Sequence, residues 1–479
     1  MNKKRIALVG YTPDYFRSFG NALEESHFEV FWVHGTRSTA KYHENNSSTG
    51  SVRCLDTTAN FRQDLSDVAR CKKALSELES AGNPRINDVI LMDRILRNKH
   101  YLFALCYLNH LQQLLSRFFT ENSISLVSSG RDTALQIISM LVCRKLGIPW
   151  VVPTRVRIPQ EMYMFASGHE TGSIVNIRAS TNKDHVWAEE FLRKFNRSPD
   201  KPALKAAART FADVIKMMPN HARLFLSLVK TSFVERGNDY SRYTVSRIIS
   251  MYLKRRLNMI MFKAFPPYSP VGDQPYCLYA LHTQPESSID VSGSYFSDQI
   301  ALITYISRSL PASHELYVKI HPTDLDGKPL SFYRKIAKLP GVRLINYDVD
   351  SRDLIRQASI IFALTGTIGY EAGLIGQNVV TFAQNYFNRM PTVHYCDSPP
   401  RLPALIGSLL SAKPPEDLKE RLIAFLANLK AQSFQGEINR MSLPNGEHLT
   451  QQDLKTLQGA YNSLYAVLAS PKLSRQSGS

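Results

Sequence analysis

The sequence has no CxxC pair and no His–Cys spacing of a zinc site, and no run of about 18 uncharged apolar residues occurs anywhere in it. The six cysteines, Cys54, Cys71, Cys106, Cys143, Cys277 and Cys396, are scattered, several of them inside apolar runs. They read as reduced core thiols of a cytosolic protein, which excludes a disulfide framework. The missing apolar run excludes a transmembrane helix. The N-terminal Lys3-Lys4-Arg5 has the charge of a signal peptide, but the apolar stretch behind it ends before Tyr11 and Asp14, so the segment reads as a first strand. Acidic residues are also short, 41 against 58 Lys and Arg, leaving a net charge of +17 that favours contact with a polyanion. Nucleic acid, anionic lipid and acidic glycan all qualify; an RNA-binding motif with interleaved aromatics is absent, which argues against the first. No repeat of fixed period is present, and no long tract is starved of hydrophobic residues. A chain of 479 residues with this make-up is expected to form two or three domains.

What is present is alternation. Ile6 to Gly10, a helical spacing at Phe16, Phe19 and Leu23, and then Phe28 to Val33 read as strand, helix, strand. Residues 36–51, rich in Ser, Thr and Asn, read as a mobile surface loop. A helical pattern runs over residues 64–119. Ser123 to Val127 reads as a strand, Ala134 to Leu146 as a helix closed by Gly147, and Pro149 to Val152 as another strand. Residues 201–265 turn basic and helical, and Pro266-Pro267-Tyr268-Ser269-Pro270 breaks that pattern as a linker would. Beyond it, strands at Tyr276–Leu281, Glu315–Ile320, Val342–Ile345, Ile360–Leu364 and Asn378–Phe382 are separated by helices, the pattern of parallel βαβ units. The expected fold is therefore α/β, with two Rossmann-like domains facing each other across a cleft and extra helices in the N-terminal half. Its domains are residues 1–265, including the basic segment 201–265; residues 271–415, the second βαβ domain; and a helical segment with a frayed tail, residues 416–479.

Three polar clusters fall at predicted strand ends. Leu364-Thr365-Gly366-Thr367-Ile368-Gly369-Tyr370-Glu371-Ala372 leaves a buried strand and opens a helix. Its two glycines let backbone approach a ligand, and the threonines stand at the positive helix end, which suits a phosphate. Glu371, one turn in, has the position to accept hydrogen bonds from ribose hydroxyls. A plain strand-to-helix turn with a capping Thr is the bland alternative. Val318-Lys319-Ile320-His321-Pro322 ends the next strand; Pro322 fixes the direction of His321, and His321 and Lys319 are expected to face the same mouth and steady a leaving phosphate. His282, Gln284 and Glu286, with Gln284 pinned by Pro285, mark a third strand end. Two Asp-x-Asp strings, Asp324-Leu325-Asp326 and Asp348-Val349-Asp350, read as loop aspartates, not as a metal site.

Together these segments resemble the capsular polysaccharide biosynthesis and surface-carbohydrate glycosyltransferases of bacteria, the capsule β-Kdo transferases among them. That family shows Gln-Pro-Glu, Lys-x-His-Pro and Thr-Gly-Thr-x-Gly-x-Glu-Ala in this order. The resemblance covers about Tyr276 to Phe387 and implies the two-domain GT-B fold. It implies that His321 and Thr365, Gly366 and Thr367 hold the donor phosphate, that Glu371 holds the nucleotide sugar, and that residues 346–353 cradle the base. The family's aromatic between His and Gln is Thr283 here, and its Gly-Lys-Pro is Gly376-Gln377-Asn378.

In the N-terminal half, Asp93-Arg94 and Ser128-Ser129-Gly130-Arg131-Asp132 look like stretches that face the acceptor in that family. Asp132 is the candidate base or nucleophile, with helix capping as its alternative role. Arg131, Arg155 and Arg157 are candidates for an acidic acceptor, with solvated surface arginines as the alternative. Residues 242–263 mix aliphatic and basic side chains as a membrane-surface helix does, or a helix packed on the protein with a solvated basic face. The expected activity is transfer of a sugar from a CMP- or UDP-linked donor to a surface glycan such as capsule or lipopolysaccharide. No cofactor or metal is expected. Expected partners are the donor, an acidic or lipid-linked glycan acceptor and an anionic inner-membrane surface, without nucleic acid; the expected location is the cytoplasm or the inner face of the membrane. The rivals are a GT-B polyol-phosphate transferase using a CDP-linked donor and a non-catalytic scaffold for polyanions or membrane.

Overall fold

The computed structural model describes residues 4–11, 13–46, 53–59, 61, 68–159, 161–197, 226, 240, 243–321, 324, 327–436 and 450–469. Pro322, Asp326 and nearly all of residues 201–242 lie outside the described residues. The chain divides into two compact units: residues 1–179, 227–244 and 430–479 form the first, and residues 180–226 and 245–429 the second.

In the first unit, strands β1 (Lys4–Val9), β2 (Phe28–His34), β3 (Cys54–Asp56), β4 (Leu126–Ser129) and β5 (Trp150–Arg155) run parallel. β6 (Met162–Ala166) joins antiparallel to β5. The second unit carries β7 (Tyr276–Ala280), β8 (Glu315–Lys319), β9 (Val342–Ile345), β10 (Ile361–Ala363), β11 (Val379–Thr381) and β12 (Val393–Tyr395). Their order is β12-β11-β10-β7-β8-β9, with every pairing parallel. A last short strand, β13 (Phe434–Gln435), returns to the first sheet and completes the order β13-β6-β5-β4-β1-β2-β3. The expectation of an α/β chain with two parallel-sheet domains is met. Near-continuous apolar strands such as Ile6-Ala7-Leu8-Val9 and Ile361-Phe362-Ala363, all 0% exposed, are what a sheet covered on both faces requires.

Two features differ from the sequence reading. Residues 36–51 were expected as a loop, but Arg37–Asn46 is a helix. The hydroxyl of Thr36 accepts from the Thr39 N–H at 3.3 Å, and Ala40 is buried, so the polar composition supplies a helix start and not a loop. The helix Val245–Ala264, placed by composition before the linker, groups with the second unit, because Phe262 is buried against Tyr333 at 5.1 Å between ring centroids. The helix Gln451–Leu468 belongs to the first unit. Leu457, Ala460, Tyr461 and Leu464 pack with Phe19, Leu23 and Phe165, and the Tyr461 hydroxyl lies 2.6 Å from that of Ser128, which in turn lies 2.8 Å from that of Tyr11.

All six cysteines are free, five of them buried and Cys54 partly so. Among the described residues no helix is long and apolar enough to cross a membrane.

Candidate functional site

Because β10, β7 and β8 are adjacent and parallel, their carboxyl ends open on one edge of the second sheet. Ligands of open parallel sheets are bound at such edges. The three motifs predicted from sequence are the three segments that leave these strands, and they touch one another. The Leu364 N–H donates to Nε2 of His282 at 3.3 Å, which ties the β10 exit to the β7 exit. The Thr283 hydroxyl lies 3.3 Å from Nδ1 of His321, which ties the β7 exit to the β8 exit.

The helix Thr367–Leu374 starts at this edge with Gly366 as its N-cap, and no side chain caps it. Uncapped first-turn N–H groups at the positive end of a helix are a ready anion site. Gly366 has ordinary extended dihedrals, so its lack of a side chain serves space: a Cβ there would stand 2.8 Å from Cε1 of His282. Gly369 permits close packing of helix on strand, since a Cβ would meet that of Ala363 at 2.8 Å. Thr367 is half-buried at the helix mouth, whereas Thr365 is buried and donates its hydroxyl to the Ser288 carbonyl at 3.1 Å. The Thr365 hydroxyl, expected to face the ligand, is thus engaged within the protein and shapes the turn.

Lys319, the last residue of β8, is 4% exposed and donates to the Tyr347 carbonyl at 3.0 Å. Burial holds its ammonium below the ordinary lysine range, against the pull of Asp350 and Asp348. His321 is half-buried; burial first, and then the Lys319 charge, hold its imidazole below the usual value. A neutral imidazole near pH 7 is the consequence. It offers one donor and one acceptor, and becomes a better proton carrier once a phosphate enters.

Gln284, expected as a donor ligand, is occupied on both ends of its amide. Its nitrogen donates to the Ser297 carbonyl at 2.9 Å and to Asp290 at 3.4 Å, while its oxygen accepts from Lys328 and from Gln299, each at 3.0 Å. It orients the loop and the Lys328 ammonium. Glu286 is exposed, and its backbone N–H donates to Asp290 at 3.1 Å. Gln299, absent from the sequence reading, is the hub: 2% exposed, it accepts from the His282 N–H at 2.8 Å and donates to the His282 carbonyl at 3.0 Å. A polar residue at a core-facing position of the helix Gln299–Ser309 was the available signal. Lys328 carried no signal in the sequence.

Glu371 is 8% exposed and pairs with Nε of Arg352 at 3.3 Å. Burial raises its carboxyl above the ordinary range although Arg352 pulls the other way. Nη2 of Arg352 is buried without a hydrogen-bond partner, so the pair retains an unused donor. Asp350 caps the helix Ser351–Gln357 by accepting from the Arg352 N–H at 2.8 Å, a role that needs no metal. Among the described residues no group of three metal-ligating side chains occurs.

In the first unit, Arg131 and Asp132 follow β4, and Arg155 ends the adjacent parallel β5, two residues ahead of Arg157. All four therefore stand at the carboxyl edge of the first sheet. Asp132 is exposed and pairs with Arg94 at 3.0 Å. It does not cap the next helix. Thr133 is the N-cap, and Asp93, 9% exposed, reaches across to accept from the Ala134 N–H at 2.8 Å. Arg131, Arg155 and Arg157 are half-buried. The charge of Arg131 reaches His169, whose imidazole burial holds down to about 4, with Arg144 and then Arg131 adding to the effect.

Residues 229–391 match the family described as capsule polysaccharide biosynthesis protein. The matched stretch contains all three motifs of the second-sheet edge, and over it the resemblance read from the sequence is borne out. A search of the curated proteins finds no match. Among solved structures, the chain is similar to the Thermosulfurimonas dismutans KpsC β-Kdo 2,7 transferase at 12% identity, over 73% of this chain and 90% of that one, with a TM-score of 0.33. The β-Kdo 2,4 transferase of the same KpsC gives 14% identity over 70% and 88%, with a TM-score of 0.29. The UDP-GlcNAc 2-epimerase of Methanocaldococcus jannaschii gives 12% over 86% and 94%, with a TM-score of 0.26. Likenesses this loose have no bearing on the chemistry.

Proposed function

We propose that this chain is a glycosyltransferase of capsule-type polysaccharide synthesis that moves a sugar from a CMP- or UDP-linked donor to a bacterial surface glycan. The observation that supports it most is the uncapped start of the helix Thr367–Leu374, lying within the family-matched segment and flanked by His282, with His321 one contact further on. In this reading the first-turn N–H groups and His321 take the donor phosphate, with Lys319 supplying positive potential from beneath. The Glu371–Arg352 pair takes the ribose side of the nucleotide. The bond between the anomeric carbon and the phosphate oxygen breaks, its electrons leave with the nucleotide, and the acceptor hydroxyl forms the new bond. Asp132 is proposed as the carboxylate that receives the hydroxyl proton, with Arg131, Arg155 and Arg157 binding an acidic or lipid-linked acceptor.

The test is nucleotide-dependent thermal stabilisation of the full chain with CMP, UDP and CDP. A nucleotide at about one hundred times its Kd adds about 2.7 kcal/mol. Stabilisation by CMP or UDP that falls in His321→Ala and Glu371→Ala is the expected result. Silence toward every nucleotide removes the proposal, and a response to CDP alone favours the polyol-phosphate transferase.

A further inference from the structure

The helix Val245–Ala264 carries two opposed apolar faces. One, through Phe262 at 3% exposed, is packed into the core of the second unit with Met259 against the same cluster. The other is in solvent. Ile249, Leu253, Leu257 and Ile260 are 40%, 60%, 58% and 63% exposed, and their spacing of four, four and three residues aligns them in one stripe. Phe265, 53% exposed, follows just past the helix end. At 1.5 Å per residue the stripe is about 17 Å long. A contiguous apolar strip of that size on a soluble surface marks a contact.

The charges decide what kind. The helix holds Arg247, Lys254, Arg255, Arg256 and Lys263, and no carboxylate. At 100° per residue, Arg256 and Lys263 fall on one flank of the stripe and Lys254 and Arg247 on the other. The Arg256 guanidinium lies 5.0 Å from the ring centroid of Tyr252, itself 43% exposed. A second copy of the chain packed stripe to stripe brings two sets of like charges together. A nucleic acid satisfies the cations but leaves four aliphatic side chains in water. An anionic bilayer satisfies both: the aliphatic stripe enters the acyl boundary while the flanking cations meet the headgroups.

We infer that the helix Val245–Ala264 is a membrane-surface docking element that lays its Ile249–Ile260 stripe onto an anionic lipid bilayer. It lies on the surface and does not span. The inference is independent of the donor chemistry proposed above.

The experiment is co-sedimentation of the full chain with phosphatidylcholine vesicles, with and without phosphatidylglycerol. The wild-type chain is expected to pellet with the anionic vesicles, to stay in solution with the neutral ones, and to detach as salt is raised. The double variant Leu253→Ser/Leu257→Ser lowers the partition at least about tenfold through lost apolar burial. Lys254→Ala/Arg256→Ala lowers it by about tenfold or more through lost charge. Leu253, Lys254 and Leu257 are exposed, and the half-buried Arg256 meets Tyr252 of the same helix, so both variants keep the wild-type melting temperature and nucleotide response. Wild-type chain that ignores anionic vesicles overturns the inference, and so do variants that bind as well as wild type. A wild-type dimer in size exclusion that the Leu variant dissolves, with no vesicle binding, overturns it in favour of a second copy.

Discussion

At the scale of single residues, the side chains that hold the edge of the second sheet in shape are as informative as those that face it. Gln299 satisfies the backbone of His282 and the amide of Gln284 at once, from a nearly fully buried position. Replacing it with Leu removes its bonds to the His282 N–H and carbonyl, which costs about 1–3 kcal/mol. Gln299→Leu is expected to lower the melting temperature and to weaken nucleotide binding further than that loss alone; binding unchanged in a correctly folded variant contradicts its positioning role. The sequence exposed the residues of the edge, His282, His321 and Gly366, because they sit in contiguous motifs. It concealed Gln299 and Lys328, whose roles arise only when separated segments meet. It also overstated Gln284 and Thr365, since motif membership says nothing about whether a side chain is already bonded.

His34 shows a second residue-scale effect. It is 1% exposed, stacked on Trp32 and near His43, and burial, then the His43 charge, push its imidazole down to about 3. In the unfolded chain it takes a proton near 6.5. The neutral ring therefore contributes its full stability above about pH 6.5, and that stability is lost as pH falls toward 3, where His169, held down to about 4, acts in the same direction. His34→Phe keeps a flat ring against Trp32 and removes the titration. Its melting temperature should fall less steeply than that of wild type between pH 6.5 and 4; parallel slopes refute the assignment.

At the scale of elements, the turn from β10 into the helix Thr367–Leu374 is the critical piece. Gly366→Ala puts a methyl where His282 stands, 2.8 Å from Cε1, so the ring or the turn must move. The dihedrals of Gly366 suit any residue, so the fold survives and the cost falls on the site. Nucleotide affinity in Gly366→Ala should drop by about tenfold or more with a melting temperature near that of wild type, measured by calorimetry and by thermal scan. Elements in the second sheet were legible because buried parallel strands and their helices alternate cleanly from Tyr276 to Phe382. The helix Arg37–Asn46 was not, because its Ser and Thr residues serve as caps in a segment whose polarity resembles a loop.

At the scale of the whole molecule, the helix Gln451–Leu468 is part of the first unit. Tyr461 is 0% exposed, packs edge-on against Phe165 at 5.0 Å and Phe19 at 5.5 Å, and hydrogen-bonds to Ser128. Tyr461→Ala should cost about 3–5 kcal/mol of stability in urea unfolding, on the scale of aromatic deletions from a core. A loss below about 1 kcal/mol is too small for a core aromatic and means that the helix does not hold the sheet. Periodicity revealed that residues 451–468 form a helix; the surface it covers depends on contacts more than three hundred residues apart, which no local pattern encodes.

A structure of the full chain with CMP or UDP bound would show whether the exits of β7, β8 and β10 together grip a phosphorylated donor. The phosphate is expected at the first turn of the helix Thr367–Leu374, within hydrogen-bond reach of backbone N–H groups and of His321, with the ribose toward Glu371. A nucleotide bound elsewhere, with that turn untouched, contradicts it.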